Sequence, residues 1–75
     1  MNILIVEDDK SLNNGIALSF SSDKIIQACS ISEARKVFNA AVELIILDVN
    51  LPDGSGLYFC REIRTISKVT MQGKL

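Results

Sequence analysis

The 75-residue chain has no histidine, no tryptophan, one proline and two cysteines. Cys29 and Cys60 stand far apart with no CxxC pair, so with no imidazole available a zinc site is excluded. The two thiols read as small buried hydrophobes rather than a disulfide. No apolar run exceeds four residues, as in 3–6 and 44–47. A membrane span needs about 20. The N-terminus lacks the basic stretch of a signal peptide and meets acids at Glu7, so a cytoplasmic location is expected, with no membrane association. Basic residues are also scarce and scattered. The net charge of -1 leaves no patch for neutralising phosphates, so this segment is not expected to bind nucleic acid itself.

What remains is apolar and patterned. Hydrophobic content is 48%, well above that of disordered chains. A chain of this length forms one domain at most, burying only about 60% of its unfolded surface. Residues 2–6 (NILIV) read as a strand ending on three acids, Glu7, Asp8 and Asp9. Leu12, Ile16 and Phe20 form a helical stripe over 11–21, capped by Asp8, Asp9 or Ser11. Gly15 costs that helix about 1 kcal/mol. Residues 24–29 form a second, weaker strand. Ser30 and Glu33 fit a capping box for a helix over 32–41, with Ala34, Val37, Phe38 and Ala41 on one face.

The run LIILD at 44–48 reads as a strand buried on both faces with Asp48 at its carboxyl end. A loop follows, shaped by Pro52, Gly54 and Gly56, with Asp53 or Ser55 as the cap of a helix over 55–66. Tyr58 is expected at the surface. Residues 67–75 (SKVTMQGKL) read as an irregular tail beyond a domain of residues 1–66. Alternating strands and helices define βαβ units, a parallel sheet and right-handed crossovers.

Two apolar strands therefore end in acids, at Glu7 to Asp9 and at Asp48. As parallel neighbours they lie about 4.8 Å apart. Converging carboxylates repel, and a hard divalent cation such as Mg²⁺ relieves them. Spacing alone leaves a second reading open: acids that start a helix, plus an isolated strand-end aspartate.

The sequence resembles the receiver domain of two-component response regulators. The matching segments are ILIVEDD at 3–9, LIILDVNLPDGSG at 44–56 and GLYFCREIR at 56–64. Their style is most similar to receivers joined to a winged-helix DNA-binding domain. The resemblance implies the N-terminal (βα)3 portion of a flavodoxin-like, doubly wound α/β sheet with strand order 2-1-3. It implies that Asp48 is the phosphoacceptor for a sensor histidine kinase. It also implies that Asp8 ligates Mg²⁺ directly, Glu7 helps through water, and the Asn50 backbone carbonyl is a further ligand, with Asp9 only a neighbour. DNA would be reached only through an effector domain outside this sequence, and the chain would be a phosphoacceptor rather than an enzyme.

A complete receiver has five strands. The family's Thr or Ser on the fourth strand and Lys after the fifth have no expected counterpart, so self-catalysed transfer is expected to be impaired. A chain ending after its third helix would also bare the edge of the third strand, and a homo-oligomer through that edge or by element exchange is expected. Two alternatives compete. One is a truncated or degenerate receiver that only binds partners or itself. The other, an aspartate-nucleophile phosphatase, wants an acid where Asn50 stands. A nucleotide- or flavin-binding half-domain lacks the glycines its first turn requires.

Overall fold

The computed structural model describes residues 1–64 and 70–74. The elements run β1 (Asn2–Val6), α1 (Lys10–Ser19), β2 (Lys24–Ala28), α2 (Ile31–Val37), β3 (Leu44–Asp48), β4 (Asn50–Leu51), β5 (Gly54–Ser55), α3 (Gly56–Arg64) and β6 (Thr70–Lys74). Four of the strands form one sheet in the order β2-β1-β3-β6. Its three pairings are all parallel, and β4 and β5 make a separate antiparallel ribbon.

The expected 2-1-3 order is present and is extended by one strand. Residues 70–74 are not irregular. They pair with β3 from Leu44↔Thr70 to Asp48↔Lys74. The chain thus carries a further strand after its third helix, and β3 is not a bare edge. The expectation of a homo-oligomer through that edge loses its basis. Residues 67–69 and 75 of the expected tail lie outside the described residues. The sequence TMQGK has little strand character of its own. A row of open β3 backbone groups offers it hydrogen bonds that propensity does not register.

Apolar pattern decides which strand is central. Ile3, Leu4, Ile5 and Val6 are all fully buried, so β1 is covered on both faces. Leu4 and Val6 pack with Ala28, Ile31, Ala34, Ile45, Leu47, Phe59 and Ile63 into the main core. Ile3 and Ile5 point to the opposite face, where right-handed crossovers put α1. β3 was expected to be buried on both faces. Instead Ile45 and Leu47 are buried while Leu44 and Ile46 are only half-buried, because α1 alone among the described helices covers that side.

The helix ends follow their caps. Asp9 starts α1 by accepting the Leu12 N–H at 3.1 Å. Of its expected stripe, Leu12 is exposed and Ile16 and Phe20 are only half-buried. Nothing packs against Gly15. In α2, Ser30 Oγ accepts the Glu33 N–H at 3.1 Å, while Glu33 Oε1 accepts the N–H of Cys29 at 2.9 Å, one residue outside the expected box. The helix stops at Phe38 rather than running to Ala41, because the following segment turns onto the start of β1. There Asn2 Nδ2 donates to the Ala41 carbonyl at 3.1 Å and Glu43 N–H to the Asn2 carbonyl at 2.9 Å. Cys29 and Cys60 are free and half-buried rather than buried, and Tyr58 is 69% exposed, as expected.

Candidate functional site: an acidic cluster at the carboxyl edge of the sheet

Because β1 and β3 pair side by side, Val6 against Leu47, their carboxyl ends deliver acids to one place. Ligand oxygens of Glu7, Asp8 and Asp48 lie within 4.8 Å of one another. Glu7 is buried, Asp8 exposed and Asp48 intermediate, so the cluster has a closed floor and an open mouth. The structure therefore brings together the three carboxylates that the sequence singled out. All three donors are hard oxygens, which suit a cation such as Mg²⁺ and not a soft metal.

Two of the three acids are held by backbone N–H groups. Glu7 Oε2 accepts the N–H of Asp9 at 3.1 Å, and the Glu7 N–H donates to the Ala28 carbonyl at 3.0 Å. Asp48 Oδ1 accepts the Asn50 N–H at 3.2 Å, which folds the chain back at the acid. Asp9 turns away to cap α1.

The loop after Asp48 is built to stay close. The N–H of Gly56 donates to the Val49 carbonyl at 2.7 Å. A Cβ at Gly56 would collide with the Asp48 carbonyl oxygen and the Leu47 side chain. Only glycine fits this close approach. Gly54 has φ of +146°, a region L side chains rarely adopt. Pro52 is exposed, between the strands of the β4–β5 ribbon.

Of the two expected caps of α3, Asp53 and Ser55, the structure uses Ser55. Asp53 caps α2 instead, with Oδ1 accepting from the Ile31 N–H and Oδ2 from the Ser32 N–H, both at 2.8 Å. Those two bonds, Ser32 first and then Ile31, lower the Asp53 pKa. The α3 start is served by Ser55, whose Oγ accepts the Leu57 N–H at 3.2 Å. One residue the sequence reading missed is Asn13, 2% exposed and hydrogen-bonded beneath the cluster. Its signal was faint: a polar residue next to Leu12, inside a helix whose apolar stripe is sparse.

The sequence model of the response regulator receiver domain matches residues 3–72, and the chain belongs to that family. Among curated relatives, it is 36% identical over 73 residues to the KDP operon transcriptional regulatory protein KdpE of Escherichia coli, covering 91% of this chain and 32% of the relative. It is 40% identical over 62 residues to the transcriptional regulatory protein PmrA of Pectobacterium parmentieri, covering 76% of this chain and 27% of PmrA. The chain thus spans about a third of the length of these relatives. Among solved structures it superposes on the MaeR response regulator bound to beryllium trifluoride with a TM-score of 0.89. That match is 30% identical and covers 99% of this chain and 66% of MaeR. The α/β receiver fold expected from the sequence is the fold of these neighbours. Among the described residues, no helix is long and apolar enough to cross a membrane.

Proposed function

We propose that Asp48 is the phosphoacceptor of this receiver and that Glu7, Asp8, Asp48 and the backbone carbonyl of Asn50 hold Mg²⁺. The observation that carries this reading is the convergence of Glu7, Asp8 and Asp48 within 4.8 Å at the sheet's carboxyl edge, the side where open α/β sheets bind ligands. The donor is the phosphohistidine of a sensor histidine kinase. An Asp48 oxygen attacks phosphorus and an acyl phosphate bond forms. The P–N bond breaks, and its electron pair stays with the kinase imidazole. A carboxylate is competent for this, and phosphoryl transfer depends mainly on positioning and neutralised charge. When bound, Mg²⁺ supplies that neutralisation.

This chain's residues do the rest. The Asn50 N–H orients Asp48, the Asp9 N–H orients Glu7, and Gly56 keeps the return loop clear of the acceptor's backbone. In a protein of the relatives' length, acceptor chemistry would control transcription through a DNA-binding effector domain; KdpE and PmrA are by name transcriptional regulatory proteins.

The test is calorimetric titration with Mg²⁺, then incubation with acetyl phosphate and Mg²⁺ and intact-mass measurement. The expected result is Mg²⁺ binding that Asp8→Asn abolishes, and a single phosphoryl adduct, formed at less than full stoichiometry because self-catalysed transfer is impaired, that Asp48→Asn abolishes. An adduct that survives in Asp48→Asn overturns the assignment.

A further inference from the structure

Asn13 is a buried polar side chain in the first half of α1, between exposed neighbours Leu12 and Asn14. An amide taken out of water is costly unless all its hydrogen bonds are made. Here they are made to particular atoms. Nδ2 donates to the Glu7 carbonyl and to the Ala28 carbonyl, each at 3.0 Å. Oδ1 accepts from Gln27 Nε2 at 2.7 Å. Gln27 also donates to Asn14 Oδ1 at 2.9 Å, which braces the amide from outside.

The Glu7 carbonyl belongs to the peptide that joins Glu7 to Asp8, two of the three acids in the cluster. The strand ends at Val6, so this carbonyl lies one residue beyond β1. The same Ala28 carbonyl also receives the Glu7 N–H. Glu7 is thereby tied at both ends of its backbone unit to one pair, Asn13 and Ala28. Rotation of the Glu7–Asp8 peptide would swing the Asp8 carboxylate and break a buried bond.

We infer that Asn13 is a positioning residue for the divalent-cation site: it locks the Glu7–Asp8 peptide so that both carboxylates are set for the ion before it arrives. This rests on reading Glu7, Asp8 and Asp48 as that site. Partners that orient metal ligands from behind commonly contribute about 10–100-fold to metal affinity.

The experiment compares Mg²⁺ affinity by calorimetry with thermal midpoint for the wild-type chain, Asn13→Ala, Gln27→Ala and the core control Ile63→Ala. All titrations are run at a temperature where circular dichroism shows the variant folded. Asn13→Ala is expected to weaken Mg²⁺ binding about 10–100-fold, and Gln27→Ala to weaken it less. Ile63→Ala is expected to lower the midpoint yet keep wild-type affinity. A merely structural Asn13 would make affinity follow the midpoint across all three. Folded Asn13→Ala with wild-type affinity overturns the inference. If Asn13→Ala does not fold, Gln27→Ala decides, and unchanged affinity there overturns it. A wild-type chain that does not bind Mg²⁺ instead overturns the cation site itself, and the inference with it.

Discussion

Arg35 on α2 and Glu62 on α3 form a two-pronged ion pair, Nε to Oε2 at 2.9 Å and Nη2 to Oε1 at 2.8 Å. The hydrogen bond and charge of Glu62 raise the Arg35 pKa, and those of Arg35 lower that of Glu62. With Asp53 capping α2 from the loop after β4, α2 is fastened on one side to the loop that follows Asp48 and on the other to α3. Both Arg35 and Glu62 are exposed, so the pair orients the helices more than it stabilises them. A double-mutant cycle with Arg35→Ala and Glu62→Ala in urea should give a small favourable coupling that fades as salt rises. Arg35→Lys should not restore it, because lysine lacks the planar fork.

Asp53 makes the fold acid-sensitive in a defined direction. Its folded pKa lies below its unfolded value because the carboxylate accepts the Ser32 and Ile31 N–H groups. Its contribution is therefore fully present above the ordinary carboxylate pKa of about 3.9 and is lost as pH falls through the lower folded value. The charged groups of that neighbourhood include Arg35, whose charge adds to the lowering, and Glu33 on the same helix. The difference in thermal midpoint between wild type and Asp53→Ala should be constant from about pH 5 upward and shrink below about pH 4. A difference that grows on acidification would contradict the cap.

Gly56→Ala should be costly out of proportion to one methyl group. The added carbon meets the Asp48 backbone, which cannot swing aside like a flexible side chain. Overpacking of this kind costs about 1–3 kcal/mol. Urea unfolding should show that loss, and Mg²⁺ titration should show weaker binding because relief requires moving Asp48.

Phe59 is fully buried and belongs to the core beneath α2 and α3. Phe59→Ala should cost about 3–5 kcal/mol. Small domains have about 5–15 kcal/mol in total. Near-ultraviolet circular dichroism and urea titration should show a chain close to its unfolding midpoint at room temperature.

The proposed Mg²⁺ site predicts that stability depends on the ion. Saturating Mg²⁺ should raise the wild-type thermal midpoint, with roughly 2.7 kcal/mol of added stability at a hundredfold excess over Kd. EDTA should remove the gain, and Asp8→Asn should show none.

The sequence pattern located much of this molecule and missed the parts settled by distant contacts. β1 and β3 fall on the expected residues because unbroken Ile, Leu and Val runs between polar residues leave few alternatives. The meeting of Glu7, Asp8 and Asp48 was legible because parallel strands deliver their ends to one edge. The length of α2 was not legible, because Asn2 pulls the segment after Phe38 away and no local pattern encodes that. Of the two offered caps of α3, Ser55 fills the place, while Asp53 caps a helix more than twenty positions earlier in the chain, which no local pattern encodes. β6 was missed because its partner, rather than its composition, makes it a strand.

The position of β1 has a kinetic cost. It is the most deeply buried strand, yet it precedes both of its partners in the chain. Its apolar residues emerge during synthesis well before Lys24–Ala28 and Leu44–Asp48 exist to cover them. Every pairing in the main sheet is parallel, so none can form as a local hairpin. Each must await a full crossover, which makes assembly slow. Asp8 and Asp48 therefore come together only once the third strand has docked beside the first.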